Sequence, residues 1–122
     1  MTNKNKTNIE KGIHGENVAT DYLLQNGHTV IERNWRYKKF EIDIITTKED
    51  ILHFIEVKTR TTNQFGNPEE SISTVKMNAL KKGAEQYLLQ NTQWKNIQFD
   101  VISIKLQNQI VEEIFLIEDV FF

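Results

Sequence analysis

Two strand-like runs, Phe40 to Thr46 and Ile51 to Lys58, joined by the polar turn Thr47-Lys48-Glu49-Asp50, constrain this chain more than any other feature. Their alternation puts charges among large apolar residues on what should be a buried face. In Leu52-His53-Phe54-Ile55-Glu56-Val57-Lys58, the residues Leu52, Phe54, Glu56 and Lys58 share one side. A carboxylate and an ammonium therefore emerge together at the C-terminal end of the run. On the preceding run Glu41, Asp43 and Ile45 share a side. An antiparallel pairing centred between positions 49 and 50 sets Asp43 about opposite Glu56, and that centre falls inside the turn inferred from composition.

The remaining elements follow from periodicity. Ile9 to Asn26 reads as a helix, with Ala19, Tyr22 and Leu23 on one face and Gly27 as its stop. Glu16 falls on the same stripe as Leu23, so a third acid points inward. Gly12 and Gly15 lie beside it, and because each glycine weakens a helix by about 1 kcal/mol, close approach of backbone or ligand is expected there. Thr29 to Tyr37 is a strand, and Thr59 to Glu70, with Gly66 and Pro68, reads as a long loop. A second helix, capped by Ser73 and striped by Met77, Leu80, Ala84, Tyr87 and Leu88, ends near Asn91. Strands Ile97 to Leu106 and Gln109 to Ile117 turn on Gln107-Asn108. The order α-β-β-β-α-β-β predicts an α/β fold, a mixed five-stranded sheet flanked by helices, with the second helix as the crossover that allows a central parallel pair.

At 122 residues with a single proline and no repeat, the chain is read as one domain, 1–122. It contains no cysteine, which excludes disulfides, thiolate metal sites and thiol nucleophiles. Neither a signal-like leader nor an apolar run of membrane-spanning length is visible, so a cytoplasmic protein without a membrane partner is expected. Carboxylates that converge in a low-dielectric site repel each other unless a cation joins them. Mg²⁺ or Mn²⁺ answers that need, with Asp43, Glu56 and the Val57 carbonyl as ligands and Glu16 as an additional one. Lys58, beside Glu56, would orient a water or stabilise charge growing on a phosphorane. That combination implies phosphodiester hydrolysis, with no small-molecule cofactor. Taken singly, Glu-x-Lys on a strand is an ordinary salt-bridged edge; co-occurrence across a hairpin of matching register is what raises the metal reading.

These residues match a known pattern. Gly12, Gly15-Glu16, Ala19, Asn34-Trp35-Arg36, Glu41-Ile42-Asp43, Phe54 to Arg60, Gly66, Pro68, Lys76, Ala84, Tyr87-Leu88 and Phe99-Asp100-Val101 resemble the YraN family of small bacterial proteins, which is similar to archaeal Holliday junction resolvases. The resemblance implies the restriction-endonuclease-like fold of the PD-(D/E)xK superfamily, with Asp43, Glu56 and Lys58 catalytic and Glu16 as the resolvase-like addition. It implies an endonuclease acting on DNA, including branched or junction DNA. Phe40 stands where the family usually has glycine, and Ile42 where the superfamily has proline before the aspartate.

The net charge of −2 argues against nonspecific affinity for a polyanion, yet the charge is uneven. Residues 1–60 carry ten basic and nine acidic groups, and 61–122 carry five and eight. Setting aside Glu16, Asp43 and Glu56 as ligands leaves the first half at net +4, the side expected to face DNA. Arg33, Arg36, Lys38 and Lys39 cluster at one hairpin with Trp35 and Tyr37 interleaved, Arg60 follows the catalytic strand, and Lys76 joins this set. Core packing is the more ordinary role for Trp35, and His14, His28 and His53, which share no ligand-like spacing, read as structural. Glu112-Glu113 and Glu118-Asp119 should lie away from the groove. Val120-Phe121-Phe122 predicts core packing or a contact in a homodimer. The competing function is a non-catalytic nucleic-acid-binding or scaffold module that keeps the nuclease fold.

Overall fold

The computed structural model describes residues 4–61 and 73–120. Its elements are α1 (Lys4–Gln25), β1 (Thr29–Tyr37), β2 (Phe40–Lys48), β3 (Ile51–Thr61), α2 (Thr74–Gln90), β4 (Ile97–Gln107) and β5 (Ile110–Ile117). One five-stranded sheet runs β1-β2-β3-β4-β5, antiparallel throughout except for the parallel β3–β4 pair at its centre. This is the mixed α/β order expected from the sequence.

Each face of the sheet carries one helix. Ala19 and Leu23 of α1 pack with Ile44, Ile55, Ile102, Ile104 and Leu106. Met77, Leu80, Ala84 and Tyr87 of α2 pack with Ile42, Ile45, Leu52, Phe54 and Val101. Fully burying side chains of this size contributes about 1.5–3 kcal/mol each, so the two stripes supply most of what holds the layers together.

Local chemistry ends the elements where backbone groups need partners. Gly27, at φ +88°, closes α1: His28 N–H reaches Leu23 O at 3.0 Å and Gly27 N–H reaches Leu24 O at 3.3 Å. Ser73 caps α2 by accepting from Lys76 N–H at 3.1 Å. The β2–β3 hairpin is tighter than composition suggests, and the β4–β5 turn falls one residue later. Glu49 and Asp50 have φ of +53° and +62°, and Asn108 and Gln109 have +50° and +69°. Two successive positive φ values match the right-handed twist of the strands, so two residues suffice and the ladders run up to the turn. Consequently β2 continues to Lys48 and β5 begins at Ile110, one residue later than expected.

Two boundaries move further. Helix α1 begins at Lys4, well before the expected Ile9. Strand β3 continues through Thr59, Arg60 and Thr61, each paired with β4, so the start of the expected loop is strand; Gly66 and Pro68 lie outside the described residues. Gly15 meets its expectation, since a Cβ there would collide with the Thr59 side chain, whereas Gly12 has open space around it. Val120 packs on the α2-side core and its N–H reaches Phe99 O at 2.8 Å. Phe121 and Phe122 lie outside the described residues.

Candidate functional site

The β2–β3 ladder pairs Ile44 with Ile55, and continuing that register one step sets Asp43 against Glu56. The regular ladder stops there. Val57 N–H instead donates to Asp43 Oδ2 at 2.8 Å, so a side chain replaces a backbone acceptor where the strands part. The distortion begins next door, on β1, where Asn34 sits at φ +53°. It separates Arg33, directed to α1, from Trp35, directed to α2. Trp35 pairs with Ile42 and meets the Tyr87 ring edge-on at 5.4 Å, which is the core role expected for it. Ile42 follows it onto the α2 side, facing Gly83, so β2 breaks strict alternation beside Asp43.

That break opens a cleft of about 340 Å³ between the sheet and α2. Glu41, Asp43, Glu56 and Val57 line it from the sheet, Lys76, Ala79 and Leu80 from the helix, and Lys39 from the hairpin. Burial pushes the Glu56 carboxyl up to about 7, and the adjacent Asp43 adds to the shift. Burial also pushes Asp43 up, with Glu41 and Glu16 reinforcing it and the Val57 N–H opposing. Two half-buried carboxylates side by side are short of positive charge. Lys76 supplies some, with Nζ 3.8 Å from Glu56 Oε1. Burial lowers the Lys58 amine below the usual lysine range, and a hydrogen bond with Lys76 lowers it further. The same contact pushes Lys76 up, helped by Glu56 and Asp43.

The other expected site residues are distributed less simply. Glu16 lies on the buried stripe of α1, but its Oε1 accepts from Arg33 Nε at 3.1 Å and from Asn34 Nδ2 at 2.9 Å. Arg33 also donates to Asn17 Oδ1 at 2.8 Å. Among the described residues no group of three or more His, Asp and Glu side chains is arranged to hold a metal ion. The donor set at the cleft is thus Asp43, Glu56 and the Val57 backbone. It suits a hard divalent cation that keeps most of its waters and takes one or two carboxylates, as Mg²⁺ does. Arg36 pairs with Glu41 at 3.3 Å and Arg60 with Glu113 at 3.5 Å. Lys38 sits 5.4 Å from the Tyr37 ring and Lys39 5.7 Å from the Phe40 ring. The Phe40 ring therefore carries a cation at the cleft mouth. None of the acidic residues from Glu112 to Asp119 lines the cleft.

One polar network was not foreseen. His53 Nδ1 meets the fully buried Asp100 at 2.7 Å, and the same carboxylate accepts from Gln98 Nε2 and Asp119 N–H, each at 2.9 Å. His28 bonds Thr46 Oγ1 at 2.7 Å and meets the His53 ring edge-on at 4.8 Å. His28 and His53 are 25 positions apart, so chain spacing hides them; the Thr46–His53 strand pair joins them. The network's His53 lies N-terminal to Glu56 along β3, and Asp100 pairs with Ile55.

Residues 15–104 match the family described as uncharacterised protein family UPF0102. The chain belongs to this family. It is 37% identical over 123 residues to the UPF0102 protein of Chloroherpeton thalassium, covering 94% of this chain and 95% of that one. Similarity to the UPF0102 protein of Clostridioides difficile is 42% over 108 residues, covering 88% and 95%. With the Dictyoglomus turgidum UPF0102 protein it is 46% over 100 residues, covering 81% and 85%. The matched span runs from α1 through β4 and includes Glu16, Asp43, Glu56, Lys58 and Lys76. No helix among the described residues is long and apolar enough to cross a membrane.

Proposed function

We propose that this UPF0102 protein is a divalent-metal-dependent endonuclease of the restriction-endonuclease-like, PD-(D/E)xK type, hydrolysing DNA phosphodiester bonds, with branched or junction DNA as its substrate class. The observation that carries the reading is the half-buried Asp43–Glu56 pair at one cleft with two lysines against it. Asp43, Glu56 and the Val57 carbonyl would hold Mg²⁺ or Mn²⁺, which when bound supplies Lewis acidity toward a phosphate oxygen. The Val57 N–H fixes the Asp43 carboxylate, removing rotamer freedom before any ligand arrives. Lys58, on the same side of β3 as Glu56, orients the attacking water or offers charge to the phosphorane. Glu16 assists by adding negative charge near Asp43 and by holding Arg33 and Asn34 at the kink in β1. Lys38 and Lys39 at the hairpin are the cations for phosphate contact, and cutting both strands of a junction calls for two sites and hence a homodimer. Activity on DNA puts the protein in the cytoplasm.

Metal uptake tests this directly. Mn²⁺ at about a hundred times its dissociation constant should stabilise the folded protein by about 2.7 kcal/mol, and Asp43→Asn or Glu56→Gln should abolish that gain. The second reading, a nucleic-acid-binding module without turnover, draws on the pairing of Glu56 with Lys76. It predicts tight DNA binding with no stabilisation by Mn²⁺.

A further inference from the structure

Lys76 is in an unfavourable place for a helix. It stands in the first turn of α2, which contains no acid, and the positive end of the helix dipole disfavours a cation there by about 0.3–1 kcal/mol. Ser73 nonetheless fixes that turn through the Lys76 N–H, and the side chain extends to the carboxylates of the cleft. Its Nζ lies 3.8 Å from Glu56 Oε1, beyond hydrogen-bond length, and the side chain is 55% exposed against 15% for Glu56. This is a loose ion pair across the mouth of a half-buried acidic pair, and the same Lys76 side chain also contacts Lys58. A divalent ion would need the same carboxylate at about 2.0–2.1 Å and would repel an ammonium beside it.

We propose that Lys76 is the resident counter-cation of the Asp43–Glu56 pair and that it exchanges with the divalent metal, leaving Glu56 when the metal enters. The inference rests on the metal site proposed above. Lys76 keeps the two carboxylates together in the metal-free protein and sets a threshold for loading. Once released, its ammonium remains at the cleft mouth, on the wall that Lys76 shares with Ala79 and Leu80, where a phosphate is its natural partner.

Calorimetric titration of the full chain with Mn²⁺ tests the exchange, using wild type, Lys76→Met and Lys39→Met. Lys39 lines the same cleft and controls for loss of one positive charge there. Lys76→Met should bind Mn²⁺ about fivefold more tightly, the scale of a partly exposed ion pair that no longer has to be broken. Lys39→Met should stay within about twofold of wild type, as expected for a cation screened by solvent. Equal or weaker Mn²⁺ binding by Lys76→Met, or an equal gain in both variants, overturns the exchange while leaving the metal site standing. If wild type and both variants take up no Mn²⁺, the exchange and the metal site fall together.

Discussion

Val57 N–H donates to the Asp43 carboxylate at 2.8 Å at the point where β2 and β3 stop pairing. The aspartate thus completes the backbone of the neighbouring strand while presenting its other oxygen to the cleft. Replacing it affects fold and site together, and the expected cost differs by substitution. Asp43→Asn keeps an acceptor oxygen, so metal-free stability should change by less than about 1 kcal/mol or rise, because carboxylate repulsion is relieved. Asp43→Ala leaves the Val57 N–H without that acceptor and should cost about 1–3 kcal/mol. Urea unfolding in the presence of a chelator checks both, and an Asn variant as unstable as the Ala variant would contradict the hydrogen-bond role.

Glu56 gives stability a definite pH dependence. Its carboxyl is pushed from 4.5 up to about 7, so the folded state keeps a proton that the unfolded chain releases. That contribution is complete below pH 4.5 and is lost as pH rises through 7, by at most on the order of 3 kcal/mol. His28 works in the opposite sense. Burial, then His53 and Lys48, lower it from 6.5, so its contribution is lost as pH falls below 6.5. Urea midpoints across pH 4.5–7.5 without metal should therefore fall more steeply in wild type than in Glu56→Gln. Parallel curves would contradict the account of a half-buried carboxylate pair.

Close approach of α1 to β3 makes Gly15 sensitive. A methyl group there meets the Thr59 side chain, with its hydroxyl oxygen nearest. Overpacking of this kind costs about 1–3 kcal/mol, more than the roughly 1 kcal/mol that alanine returns to the helix. Gly15→Ala should lower the melting temperature, and adding Thr59→Ala should recover part of the loss. A stabilised Gly15→Ala protein would contradict this packing.

The fully buried Asp100, paired with Ile55 at the sheet centre, anchors three donors. Asp100→Ala should cost about 3–5 kcal/mol, since it strands His53, Gln98 and the Asp119 N–H at once. Guanidinium unfolding measures this, and a loss below about 1 kcal/mol would show that the carboxylate carries little of the fold.

These particulars indicate what the sequence could convey. The opposition of Asp43 and Glu56 was legible because alternation and a polar turn independently fix one register. Ser73, Gly27 and the stripe of α2 were legible because capping is local chemistry. Partners contributed by other layers were not. Glu16 reads as a free inward acid until β1 delivers Arg33 and Asn34 to it, and that delivery depends on one residue in the left-handed region. Lys76 reads as a DNA contact until the crossover sets the start of α2 above Glu56. Its one local signal was a cation in a first turn that lacks any acid.

Cleavage of DNA by the purified protein tests the central claim most directly. Duplex, single-stranded and four-way-junction DNA should be incubated with wild type, Asp43→Ala and Lys58→Met in Mn²⁺ and in chelator. Wild type should cut in Mn²⁺ alone, with junction DNA preferred, and each variant should lose at least about a hundredfold in rate, the scale of removing a group that acts in the transition state. Cleavage that persists in Asp43→Ala or in chelator, or no cleavage of any substrate by a wild-type protein saturated with Mn²⁺, would contradict it.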